Sequence, residues 1–116
     1  MEGLKVLIVD DSEDMRRMIK QFITRHVDEF VECDDGAAAF ECYRQHNPDL
    51  VLMDIKMKNV DGLTATRKIL TEYPQARVVI VSQWDTEALR ENARQAGAID
   101  YVSKWNLLPL RKLVGS

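Results

Sequence analysis

The sequence predicts a doubly wound three-layer α/β domain built on a five-stranded parallel sheet, and three observations carry that expectation. Five short runs of β-branched or leucine residues alternate with five stretches of helical period, the pattern of repeated βαβ units with right-handed crossovers. Three of those runs are apolar at nearly every position, which marks strands covered on both faces. A length of 116 residues with 46% hydrophobic content suits one core without staples, so residues 1–116 are expected to form a single domain.

Leu4 to Val9 is the first doubly buried strand, ending on Asp10-Asp11. Ser12 then caps a helix whose Met15, Met18, Ile19, Phe22 and Ile23 recur at i, i+3, i+4, i+7 and i+8. Phe30 and Val31 form a short, weak strand between acidic residues, and Asp34-Asp35-Gly36 reads as a turn. Ala37 to Gln45 is helix-forming, with Ala38, Ala39, Phe40 and Tyr43 sharing a side, and Asn47-Pro48 stops it. The third strand runs from Asp49 to Asp54, and Ile55 to Gly62 reads as a loop. Asp61-Gly62 opens a helix carried by Leu63, Thr66, Ile69, Leu70 and Tyr73 and ended by Pro74. Val78 to Val81, the purest apolar run, is a central strand ending on Ser82. Asp85 to Gln95 is helical, but Ala88, Leu89, Ala93 and Ala96 give it small anchors, each buried methyl contributing about 0.8 kcal/mol. It is expected to be the loosest helix. Gly97-Ala98 caps it, Ile99 to Ser103 is a last short strand closed by Lys104, and Leu107 to Val114 is a final amphipathic helix.

The first, third and fourth strands are the most apolar, and the second and fifth the least. Placing the weak pair at the edges gives the flavodoxin-like order 2-1-3-4-5, with the first and third strands adjacent at the topological switch point. Asp10 and Asp11, Asp54, Ser82 and Lys104 then all stand at the carboxyl ends of strands, on one rim. Three carboxylates so close repel one another and must bind protons or a cation. An oxygen-only ligand set points to a hard ion such as Mg²⁺. A carboxylate nucleophile beside a cation, a lysine and a hydroxyl suits a phosphoryl group.

Composition narrows the function classes further. A net charge of -3 with acids and bases interspersed offers no basic stripe for nucleic-acid phosphates, so direct nucleic-acid binding is not expected. No apolar run approaches a membrane span and no signal pattern opens the chain, so a soluble cytoplasmic protein is expected. Cys33, Cys42, His26 and His46 match no metal spacing. The cysteines read as packing residues, and the histidines as favourable charges near helix ends.

The pieces Val9-Asp10-Asp11-Ser12, Pro48 through Met57 with Asp54 inside it, Asp61-Gly62, Val81-Ser82 and Gly97 through Lys104 are each weak signals. Their order and spacing together resemble the receiver domain of two-component response regulators, from Leu4 to Val114. The resemblance implies that Asp54 accepts a phosphoryl group from a sensor histidine kinase or a histidine phosphotransfer protein. It implies that Asp10, Asp11, Asp54 and the Lys56 backbone carbonyl hold Mg²⁺, and that Lys104 and then Ser82 contact the acyl-phosphate oxygens. Tyr101 would turn inward when Ser82 moves, switching the face formed by helix 4, strand 5 and helix 5. The same likeness leaves room for an effector domain or partner protein, for a phosphorylation-linked homodimer, and for a longer regulator of which this chain is a fragment. Such a module promotes its own phosphorylation and dephosphorylation and is not an enzyme toward external substrates.

Each assignment has a plainer counterpart. Asp10-Asp11-Ser12 also fits a helix N-terminal charge and cap, Tyr101 an edge-strand aromatic, and Trp84 and Trp105 partly exposed packing or a partner surface. An aspartate-nucleophile phosphatase would carry a second Asp where Lys56 stands. A phosphorylation-independent interaction module would not need the acidic set. Lys58 and Trp105 replace prolines of the family pattern, so the loop after Met57 is less restrained. A trans Lys104–Trp105 peptide is expected, because a cis bond to a non-proline residue costs about 2.5–4 kcal/mol. Lys56 and Trp84 occupy the two variable positions flanking the acceptor.

Overall fold

The computed structural model describes residues 3–115. Five strands, β1 (Lys5–Val9), β2 (Glu29–Cys33), β3 (Leu50–Met53), β4 (Val78–Ser82) and β5 (Asp100–Ser103), form one parallel sheet in the order β2-β1-β3-β4-β5. The central three are buried at every position except Lys5, whereas in β2 only Cys33 is buried, with Phe30 and Val31 half-buried and Glu29 and Glu32 exposed. Apolar runs thus became central strands and the acid-flanked run an edge, as expected from burial on two faces.

Alternation along each strand divides the core into two layers. Val6, Ile8, Leu50, Leu52, Val79, Val81 and Val102 face α1 (Glu13–Ile23) and α5 (Leu108–Leu113) through Ile19, Ile23 and Leu110. Leu7, Val9, Val51, Met53, Val78, Ile80 and Tyr101 face α2 (Gly36–His46), α3 (Gly62–Glu72) and α4 (Glu87–Ala96) through Ala39, Tyr43, Ala65, Ile69 and Ala93. Each fully buried Val, Leu or Ile side chain contributes about 1.5–3 kcal/mol.

Four helices open on a side-chain cap. Ser12 Oγ accepts from Met15 N (3.1 Å), Asp35 Oδ1 from Ala37 N (2.7 Å), Asp61 Oδ1 from Leu63 N and Thr64 N (both 2.9 Å), and Thr86 Oγ1 from Leu89 N (3.1 Å). Thr86 therefore starts α4 two residues later than propensity alone suggests. Asp35 is a cap rather than only a turn residue. At the other ends Asn47 (φ 47°) and Gly97 (φ 102°) take the left-handed conformation that closes a helix. His46 is the last residue of α2, and His26 ends a 3₁₀ turn (Thr24–His26) after α1.

Three residues assigned to buried helix faces lie outside them. Met18 is 52% exposed because the contact stripe of α1 runs through Ile19 and Ile23; one residue on a helix is a rotation of about 100°. Ala38 and Ala88 are exposed for the same reason, beside the stripes of Ala39–Tyr43 and of Ala93–Ala96. Ile99 precedes β5 and is 48% exposed, and α5 is shorter than expected, though Leu107 and Val114 at its flanks are buried. All peptide bonds among the described residues are trans, Lys104–Trp105 included.

Candidate functional site

The parallel register assembles the rim. Val9 pairs with Met53, so the residues that follow, Asp10 and Asp54, leave adjacent strands side by side. Asp54 N donates to Val9 O (2.9 Å), Asp10 N to Cys33 O (3.0 Å), and Lys104 N to Ser82 O (2.9 Å). Asp10, Asp54 and Lys104 are therefore each mounted on the last hydrogen-bonded peptide of a strand.

Carboxylate oxygens of Asp10, Asp11 and Asp54 lie within 4.8 Å of one another. Asp10 and Asp54 are buried, at 2% and 7% exposure, while Asp11 is open to solvent. Lys104 Nζ stands 2.9 Å from Asp10 Oδ2 and 3.3 Å from Asp54 Oδ1. Asp54 Oδ1 also accepts from Ile55 N at 2.9 Å. One ammonium against three carboxylates leaves the cluster two negative charges in excess when all are ionised. Burial, together with the Asp10 carboxylate, pushes the Asp54 carboxyl up to about 6 against the pull of Lys104. Burial opposes the charge on Lys104, but Asp10 and Asp54 outweigh it and hold that ammonium above its ordinary value.

A cleft of about 180 Å³ opens over these groups, lined by Asp10, Asp11, Ser12, Asp54, Lys56, Gln83, Trp84 and Lys104. Its walls are polar, and Lys56 Nζ lies 5.4 Å from the centroid of the Trp84 ring, so a cation–π contact joins the loops after β3 and β4. The arrangement can bind a hard cation on carboxylate oxygens and present a fixed carboxylate to an electrophile carrying negative oxygens.

The expected residues do not all converge. Asp10, Asp11, Asp54, Lys56 and Lys104 line the cleft. Ser82 is buried at the end of β4 without lining it, and its hydroxyl accepts from Trp84 N at 3.0 Å. Tyr101 is 7% exposed, and its hydroxyl donates to the Trp84 carbonyl. Its ring belongs to the core layer under α2, α3 and α4. Arg90 stacks on the outer side of that ring, 5.0 Å from its centroid. Gln83 and Ser12 were not anticipated as cleft walls; their position next to Ser82 and Asp11 is the signal that points to them.

A family model for the response regulator receiver domain matches residues 6–113, and the chain belongs to that family. It is 43% identical over 101 residues to the chemotaxis protein CheY of Bacillus subtilis (strain 168), covering 86% of this chain and 84% of that protein. Among solved structures, it resembles the response regulator domain of Thermotoga maritima CheB, with a TM-score of 0.80, 32% identity, and coverage of 97% and 89%. It also resembles a CheX–CheY–BeF₃–Mg²⁺ complex from Borrelia burgdorferi, with a TM-score of 0.83, 26% identity, and coverage of 97% and 90%.

Proposed function

We propose that this receiver domain is a phosphoacceptor switch in which Asp54 takes a phosphoryl group from a phosphohistidine on a sensor histidine kinase or a histidine phosphotransfer protein. The observation that carries the reading is the Lys104 ammonium set between the buried Asp10 and Asp54 carboxylates, with Asp11 in reach. An Asp54 oxygen forms the new bond to phosphorus as the N–P bond breaks, and the imidazole keeps the electron pair. With its carboxyl raised only to about 6, Asp54 is ionised at neutral pH yet more basic than an ordinary aspartate.

The donor set fits Mg²⁺. Asp10 Oδ2 is sealed from solvent and accepts no hydrogen bond of normal geometry, although Lys104 pairs with it electrostatically. Asp10, Asp11, Asp54 and the Lys56 carbonyl would hold the ion. When bound, Mg²⁺ neutralises charge on the phosphoryl oxygens. Lys104 binds a phosphoryl oxygen, and Ser82 reaches another after releasing Trp84 N. Because Trp84 also carries the acceptor for the Tyr101 hydroxyl, that release biases the helix 4, strand 5 and helix 5 face toward an effector domain, a partner protein or a second copy. No helix among the described residues is long and apolar enough to cross a membrane, and the proposed site of action is the cytoplasm.

Incubation with acetyl phosphate and Mg²⁺, followed by intact-mass measurement, is expected to show one acid-labile phosphoryl group on the parent and none on Asp54→Asn. Retention in the variant would move the acceptor elsewhere. No mass gain and no response to beryllofluoride would favour a phosphorylation-independent module, and sustained release of free phosphate a phosphatase.

The Lys56–Trp84 contact roofs the cleft, and we propose that it slows hydrolysis by limiting the approach of water. An exposed cation–π contact contributes about 0.5–1 kcal/mol, so Lys56→Asn and Trp84→Ala are each expected to hasten acyl-phosphate decay by about two- to fivefold. Decay rates equal to the parent's would dismiss the roof.

A further inference from the structure

Every polar atom of Asp10 is tied to the protein, Oδ2 through the Lys104 ammonium alone. Its N–H donates to Cys33 O, its Oδ1 accepts from Ser12 N at 2.9 Å, and its carbonyl accepts from Arg16 Nη1 at 2.6 Å. Arg16 sits on the first turns of α1, with its side chain only 14% exposed. Its Nε donates to Glu32 Oε1 at 2.8 Å, and Lys20 Nζ donates to Glu32 Oε2 at 2.7 Å. Lys20 and then Arg16 hold the Glu32 carboxyl below its usual range. The guanidinium is thus anchored from β2 and reaches back to the peptide that joins Asp10 to Asp11.

We infer that Arg16 is a positioning residue for the cation site, fixing the Asp10–Asp11 peptide so that both carboxylates face the ion. This rests on the proposed Mg²⁺ role of those residues. The carbonyl of Asp10 shares a rigid plane with the N–H of Asp11. Pinning that carbonyl sets where the chain turns out of β1 and hence where the Asp11 side chain starts. A planar fork can hold two acceptors at once; a lysine ammonium at the same place reaches fewer of them in fixed geometry. Outer-shell partners of this kind typically change metal affinity by ten- to a hundredfold.

Simple electrostatics predicts the opposite sign. Removing a cation next to an acidic cluster strengthens cation binding, whereas removing a clamp weakens it. Mn²⁺ affinity, read from the EPR signal of the free ion and by Mg²⁺ competition on the full chain, separates the two. Arg16→Met is expected to weaken Mn²⁺ binding about tenfold or more, with far-UV circular dichroism unchanged in EDTA. Glu32→Gln weakens the anchor but not the carbonyl bond and is expected to stay within about threefold of the parent, on the scale of a partly exposed ion pair. Arg16→Lys is expected to fall between, and it carries the prediction alone if Arg16→Met does not fold. Equal or tighter binding in the Arg16 variants, or an equal loss in Glu32→Gln, overturns the inference while leaving the site intact. Absence of Mn²⁺ binding in the parent overturns the site and the inference together.

Discussion

Replacing Asp54 by Asn is expected to stabilise the ion-free domain by about 3 kcal/mol at neutral pH. In the folded chain the Asp54 carboxyl keeps its proton up to about pH 6, against an ordinary value of 3.8. Between those values the folded state binds more protons than the unfolded one, so stability declines as pH rises. The cost is complete above about pH 6 and absent below the ordinary value. The gap between Asp54→Asn and the parent in urea unfolding with EDTA should therefore be large at neutral pH and close as pH falls toward 4. Mg²⁺ should narrow it by stabilising the parent more than the variant. A variant no more stable than the parent at neutral pH would show that Lys104 fully compensates the burial and the Asp10 repulsion.

Gly62→Ala is expected to cost about 3 kcal/mol or more, at the upper end of overpacking effects. A Cβ at this position would lie 1.7 Å from the Asp54 carbonyl oxygen and 2.8 Å from its carbonyl carbon. The obstacle is backbone, and Gly62 N is already bonded to Ile55 O at 2.7 Å, so relief requires the loop after β3 itself to move. Urea unfolding should report the loss, and Mn²⁺ affinity should fall with it. An unaffected midpoint would mean that α3 can slide away from Asp54 without cost.

The sheet was legible because burial on both faces leaves an unbroken apolar run, as in Val6–Val9 and Val78–Val81, and weak runs sort to the edges. The rim residues followed, since strand order alone brings Asp10, Asp11, Asp54 and Lys104 together. Helix faces were less legible: Met18, Ala38 and Ala88 each sit one residue away from a buried stripe, and apolar type alone does not resolve that rotation. The Ser82 hydroxyl could not be placed, because its choice of Trp84 N over the cleft is a local turn geometry. Arg16 left no signal, because its ligand is a main-chain carbonyl with no residue identity to read.

The sheet order has a consequence for a chain emerging from the ribosome. β1 lies between β2 and β3, and Val6 pairs with both Phe30 and Leu50. The edge of β1 that faces β3 therefore stays unpaired while all of α2 is made, although Val6, Leu7, Ile8 and Val9 are fully buried in the finished domain. An open, apolar strand edge is the template for mispairing with other nascent chains. Asp10 and Asp11 end that strand with two adjacent carboxylates, the kind of charged stop that limits intermolecular β-pairing. The two aspartates thus put charge at the end of the segment that must wait longest for its partner.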